Sequence, residues 1–156
     1  MKQCCTARRQ SITPRKSNLH KTAKGCEKMT DKSLKPKCGE IWMANLGLKE
    51  NSIQNGYRPV LVISNNKNNF YSSVVTVIPI TSKRKKYLPV HIKLERYAEY
   101  GLTKTSTILA EQMTAIPVVD LEKKIGQITD KETLSKVSDA IAIQIPIIGL
   151  LVSVAC

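Results

Sequence analysis

Arg58 stands where a strand begins, in Asn55-Gly56-Tyr57-Arg58-Pro59-Val60-Leu61-Val62-Ile63-Ser64. Gly56 supplies the backbone freedom that a tight approach needs. Pro59 has no N–H to donate, which suits the first position of a strand, and Val60 to Ile63 then read as a buried strand. Arg58 is therefore held by rigid structure rather than carried on a linker. A second apolar run, Val74-Val75-Thr76-Val77-Ile78-Pro79-Ile80, ends in Thr81-Ser82. If these two strands are neighbours, Arg58 and Thr81 face one surface. A fixed guanidinium beside a hydroxyl is a natural grip for a phosphate. The plainer reading of Arg58 is a surface ion pair, a contact worth little.

The elements that must position this pair are short strands. Glu40 to Leu46 reads as the first, Pro59 to Ser64 as the second and Val74 to Ile80 as the third. Lys49 to Asn55 between them is polar and turn-rich. Asn65-Asn66-Lys67-Asn68-Asn69 reads as a turn, because asparagine tolerates positive φ and bonds its own backbone. Val90-His91-Ile92-Lys93-Leu94 alternates strictly, predicting a half-buried strand with His91 and Lys93 outward. Thr105 to Glu111 and Met113 to Ile116 continue the sheet. A helix follows, with Thr129 and Glu132 as its capping box. Leu134, Val137, Ile141 and Ile145 lie on its apolar face, and Pro146 ends or kinks it. Short strands joined by turns, then one helix, predict a mainly β, α+β domain built as a small antiparallel barrel.

Composition bounds the rest. The chain has 156 residues and a net charge of +13. Residues 1–37 hold eleven Lys and Arg against two acids, or +9, and the remainder holds fourteen against ten, or +4. This basic extension has too few apolar residues to offset the entropy of ordering and is expected to be disordered, leaving 38–156 as the domain. It has no apolar centre of a secretory signal. The five cysteines, Cys4, Cys5, Cys26, Cys38 and Cys156, lack the paired short loops of a zinc site, even with His20. Free thiols in a reducing cytoplasm are expected. The uncharged stretch from Ala140 to Cys156 is shorter than the roughly 20 apolar residues of a membrane span, so packing on the barrel or a dimer partner is expected and stable membrane association is not. Neither a Ser-His-Asp set, nor a phosphate-binding glycine loop, nor a carboxylate cluster at metal-ligand spacing is visible, so no cofactor or metal is expected.

Taken in order, several segments resemble the MazF/PemK family, the toxin half of toxin–antitoxin pairs. Gly39-Glu40-Ile41-Trp42-Met43-Ala44-Asn45-Leu46 is similar to the family's opening strand. The Arg58-Pro59 strand follows, then Ile78-Pro79-Ile80-Thr81-Ser82, then Leu109-Ala110-Glu111-Gln112-Met113. Leu121 to Gly126 and the helical segment after it are similar to the family's ending. The resemblance spans roughly Lys37 to Gln144. It implies an SH3-like barrel with a C-terminal helix, a homodimer, an acidic cognate antitoxin, DNA binding by the toxin–antitoxin complex, and cytoplasmic, metal-independent, sequence-selective cleavage of single-stranded RNA.

On that resemblance Arg58 and Thr81 are the catalytic candidates. RNA supplies its own nucleophile, the 2′-hydroxyl, so the enzyme mainly positions groups and neutralises charge. Arg58 stays protonated and is assigned to the developing negative charge; Thr81 is assigned to the phosphate or the 2′-hydroxyl. Glu111 and Gln112 fall in the region that lines the family's RNA groove, or form a polar pair on an edge strand. Ser82, Lys83 and Arg84 open a basic loop that can hold flanking phosphates, or stay a solvated loop. Tyr57 can stack on a base, or pack on the barrel. Two departures from the family stand out: Ile53 where many members carry Glu before the Arg-Pro, and Thr114-Ala115 where many carry Arg-Thr. Two rival functions remain: a same-fold toxin of the CcdB kind that inhibits a topoisomerase without cutting RNA, and a non-catalytic basic RNA-binding module.

The basic extension generates one prediction. A chain beginning near Lys35 should cut RNA at the same sites as the full chain. Its log–log dependence of affinity on salt should be shallower, because fewer phosphates are neutralised. Filter binding across a salt series, with end mapping of the products, checks both.

Overall fold

A computed structural model of the protein describes residues 35–48 and 52–147. The expectations for the basic extension before Lys35, for Cys4, Cys5, Cys26, Cys156 and His20, and for the last nine residues of the apolar C-terminus lie outside the described residues. The end of the extension is tied down: Lys35 Nζ donates to the Phe70 carbonyl at 2.7 Å and sits 4.8 Å from the centre of the Phe70 ring.

The strands are β1 (Glu40–Asn45), β2 (Tyr57–Val62), β3 (Val74–Thr81), β4 (His91–Leu94), β5 (Ser106–Leu109), β6 (Thr114–Pro117) and β7 (Leu121–Gln127). Helix α1 (Asn66–Tyr71) joins β2 to β3, and α2 (Lys131–Gln144) follows β7. The sheet runs β4-β5-β3-β2-β1-β7, with β6 also paired to β3. Every pairing is antiparallel. This is the antiparallel, α+β architecture expected.

Alternation along the three central strands divides the core in two. Ile41, Leu61, Ile78 and Ile80 pack on one side with Ile108, Ile128 and Val137 of α2. Trp42, Ala44, Val60, Val62, Val75 and Val77 pack on the other with Ile116 and Leu121. Strands covered on both faces need apolar residues at every position. That is why residues 59–62 of β2 and 77–80 of β3 read as continuous apolar runs. Glu40 is buried among them, and its carboxylate accepts from Trp42 Nε1 at 2.9 Å, the Lys37 N–H at 2.9 Å and Lys124 Nζ at 2.6 Å.

Several local expectations are corrected. The asparagine run is a short helix, not a turn. Asn65 caps it by accepting from the Asn68 N–H at 2.8 Å, and Asn69 is buried with its side-chain NH2 donating to the Ser64 carbonyl at 3.0 Å. The self-bonding that makes asparagine a turn former here serves as a helix cap. Strand β2 begins at Tyr57, because β1 is long enough to pair Tyr57 with Asn45 and Arg58 with Ala44. Between β5 and β6 the chain leaves the sheet in a 3₁₀ turn, Ala110–Gln112. Helix α2 is capped by Asp130 rather than Thr129, and ends before Ile145 as Pro146 predicts.

One close approach shapes the region beside the sheet's mouth. A Cβ on Gly101 would sit 1.8 Å from the Ile125 carbonyl oxygen, and one on Gly126 would sit 1.9 Å from that of Tyr100. The Tyr100–Gly101 turn and β7 therefore touch backbone to backbone. Gly101 also has φ +73°, which side chains rarely adopt.

Asp130 generates a test of stability. It accepts from Tyr100 Oη at 2.5 Å and from the Thr133 N–H at 2.8 Å. The bond from Tyr100, then those from Thr133, lower its pKa from 3.8 to about 2. A depressed carboxylate pKa means its contribution is complete above the ordinary value and lost as pH falls through the folded one. Asp130→Ala should cost about 1 kcal/mol at pH 7, and the difference from the natural chain should shrink between pH 4 and pH 2. Urea unfolding at several pH values checks it.

Candidate active site

The β2–β3 register pairs Val60 with Pro79 and Leu61 with Ile78. Carried two residues further, the same register sets Arg58 opposite Thr81. Both line one open cleft of about 440 Å³, with Tyr57, Ser82 and Lys83 on the same rim. Across from them stand Gly101 to Lys104, Ser106 and Ile125. The cleft lies where β2 starts and β3 ends, beyond the two-sided core.

The loop before β2 is sewn to the end of β1. The Leu46 N–H donates to the Gly56 carbonyl at 3.0 Å, and the Gly56 N–H donates to the Gly47 carbonyl at 2.7 Å. Gly56 reaches this turn with φ +68°. Arg58 is half-buried. Its Nε donates to the Asn55 carbonyl at 2.7 Å, and its Nη1 donates to Gln54 Oε1. Burial pushes the guanidinium pKa down, yet an arginine stays charged at physiological pH. Arg58 makes no ion pair among the described residues, so its charge meets only neutral acceptors. Thr81 is buried, and its Oγ1 accepts from the Lys83 N–H at 3.2 Å, an arrangement that leaves the hydroxyl hydrogen for a ligand.

The other sequence candidates divide. Tyr57 is 55% exposed at the rim, and its phenol pKa is raised by desolvation and by the charge of Glu122. Ser82 and Lys83 line the cleft; Arg84 is exposed and does not. Glu111 and Gln112 sit on the 3₁₀ turn rather than on an edge strand. Gln112 reaches toward Arg58: its Oε1 accepts from the Gln54 N–H at 2.8 Å, and its Nε2 donates to the Ser52 carbonyl at 3.3 Å. Glu111 instead pairs with His91 at 3.1 Å, and its other oxygen is buried without a partner. His91 is thus not the solvated outward residue expected, for its side chain is only 8% exposed. Its Nδ1 donates to the Lys86 carbonyl at 2.9 Å. The Nε2–Glu111 contact then needs a proton of its own, on the imidazole or on the carboxyl group. The 3₁₀ turn packs over β4 and covers the histidine.

Two residues of the region were missed in the sequence. Gln54 is buried although it lies in a polar loop, and its local pattern carries no signal of that. Lys104 joins the cleft through topology alone. Among the described residues no group of three His, Cys, Asp or Glu gathers to hold a metal, and no helix is long and apolar enough to cross a membrane. A second concavity of about 590 Å³ lies between β4 and α2. Its cations Lys136 and Arg96 already face Glu132, at 2.6 and 4.0 Å.

Comparison with known proteins identifies the family. Residues 37–145 match the family described as PemK-like, MazF-like toxin of type II toxin-antitoxin system. Over 108 residues the chain is 35% identical to the endoribonuclease MazF of Staphylococcus saprophyticus subsp. saprophyticus, covering 69% of this chain and 88% of that protein. Its fold is similar to MazF (Form-I) from Deinococcus radiodurans, with TM-score 0.62 and 20% identity over 72% of this chain and 98% of that one. It is also similar to an endoribonuclease from a mycobacterial species solved in complex with its cognate antitoxin, with TM-score 0.57 and 22% identity over 71% and 95% of the two chains. The match over residues 37–145 and the 35%-identical relative show that the chain belongs to the PemK/MazF family of type II toxins.

Proposed function

We propose that this protein is the toxin of a type II toxin–antitoxin pair and an endoribonuclease that cleaves single-stranded RNA selectively by sequence, without a metal. The observation that carries the reading is the placement of Arg58 and Thr81 on one cleft, with the arginine's charge uncompensated. The endoribonuclease name of the 35%-identical relative supports the reaction class. It also disfavours a topoisomerase inhibitor and a non-catalytic RNA-binding module.

In the reaction, the 2′-oxygen attacks the adjacent phosphorus and the bond to the 5′-oxygen breaks. The 2′-hydroxyl loses its proton and the leaving oxygen gains one. The products are a 2′,3′-cyclic phosphate and a 5′-hydroxyl. Arg58 stabilises the extra negative charge on the phosphorus oxygens, where a preorganised donor lowers the barrier. Thr81 holds the phosphate or the 2′-hydroxyl. Lys83 and Lys104 hold neighbouring phosphates, which set register without reading sequence. Exposed Tyr57 offers a face for base stacking. The site of action is the cytoplasm, under restraint by an acidic antitoxin; the mycobacterial neighbour was solved with its cognate antitoxin.

Arg58→Ala and Thr81→Ala should each lower cleavage of a long single-stranded RNA by on the order of 10²–10³ while circular dichroism stays unchanged. Arg58→Lys should restore only part, because a point charge lacks the planar fork. Cutting should persist in EDTA. Undiminished cutting by Arg58→Ala, or loss of cutting in chelator, overturns the mechanism.

The protein acts as a homodimer on this reading. Ile143 and Ile147, near the uncharged C-terminus, are 55% and 64% exposed, apolar surface that one copy leaves uncovered. Sedimentation at micromolar concentration should give twice the chain mass.

A further inference from the structure

We infer that Gln54 is the positioning residue of Arg58, and that its neutrality is what keeps the arginine's charge available to a phosphate. The inference rests on the reading of Arg58 as the phosphate-binding cation. Gln54 comes from a polar loop, yet it is buried at 8% exposure. Its side-chain oxygen accepts from Arg58 Nη1, while the Asn55 carbonyl takes Nε. The guanidinium is thereby gripped at two nitrogens and cannot swing about its stem. Gln54 is itself clamped, since its N–H donates to Gln112 Oε1 and Gln112 Nε2 donates to the Ser52 carbonyl. Each of these contacts has one chemically allowed sense: N–H groups meet oxygens throughout, so both amides are oriented. The chain Gln112–Gln54–Arg58 spans a loop, a 3₁₀ turn and the start of β2.

The charge of the holding group matters as much as its geometry. A carboxylate at this place would grip the fork more strongly, and would also cancel its field. An amide orients without cancelling. Burial without an anion already disfavours the cation, so an arriving phosphate meets a donor set that is fixed and uncompensated. Electrostatic preorganisation of this kind is the largest single contribution in many enzymes, and a displacement of about 1 Å can cost 10² in rate.

The test compares Gln54→Met, which removes the acceptor at similar size, with Gln54→Glu, which keeps the acceptor and adds charge. Gln112→Met weakens the clamp at one remove and serves if Gln54→Met fails to fold. In Gln54→Met, kcat should fall by about 10- to 100-fold with a smaller change in KM. Gln54→Glu should lose at least as much near neutral pH despite its stronger bond. Its deficit against the natural chain should narrow as pH falls from 6 toward 4 and the introduced carboxylate takes up a proton. The Nε–Hε resonance of Arg58 in the free protein should broaden or shift in Gln54→Met and in Gln112→Met. Full activity of Gln54→Glu at neutral pH overturns the inference, as does an unchanged Arg58 resonance together with unchanged kcat in the folded Met variants. If the natural chain cuts no RNA, the nuclease reading fails by itself. The resonance comparison still decides whether Gln54 holds Arg58.

Discussion

A strand buried on both faces has no wet side on which to carry chemistry. Three adjacent strands of this protein are in that condition, and the placement of the cleft follows from it. Ile78 and Ile80 point to one core while Val75 and Val77 point to the other. The cleft lies where β3 ends at buried Thr81, with exposed Ser82 just beyond it, and where β2 starts at exposed Tyr57 and half-buried Arg58. Antiparallel pairing brings a strand's end beside its neighbour's beginning. Buried cores on both sides then hold the two polar groups with the rigidity of the sheet.

The same sheet carries two cations in opposite electrostatic states. Lys124 meets the buried Glu40 carboxylate at 2.6 Å and is neutralised within the fold. Arg58 meets only amide and carbonyl oxygens. The first arrangement ties β7 to β1 and satisfies a buried acid. The second leaves a field directed at solvent. Similarity near 20% to solved structures establishes the shared sheet, whereas the proposed chemistry depends on this local difference between two positive side chains.

What could be read from the chain alone was whatever short-range pattern encodes. Arg58 and Thr81 stand at the ends of apolar runs, next to Gly-x-Arg-Pro and Thr-Ser signals, so both the strands and their exits were legible. His91 was misread because strict alternation reports which face a residue takes and not what later covers that face. The covering element, Ala110–Gln112, looked like strand because its neighbours are apolar, and only its departure from the sheet brings Glu111 onto His91. Gln54 and Lys104 were missed for a similar reason. A polar loop residue shows its burial only when distant segments close over it, and Lys104 reaches the cleft by tertiary folding. At α2, Thr129 and Asp130 are adjacent cap formers, and the distant Tyr100 hydroxyl decides between them.

The contact of the Tyr100–Gly101 turn with β7 at Gly126 makes the two walls of the cleft mechanically unequal. Backbone packed on backbone has no side chain to rotate and no slack to take up. The wall formed by Gly101 and Ile125 therefore cannot retreat from an incoming ligand. The opposite rim, at Tyr57, Ser82 and Lys83, is exposed and carries long side chains that rearrange at little cost. Whatever occupies the cleft thus meets one wall that acts as an anvil and one rim that acts as a soft jaw.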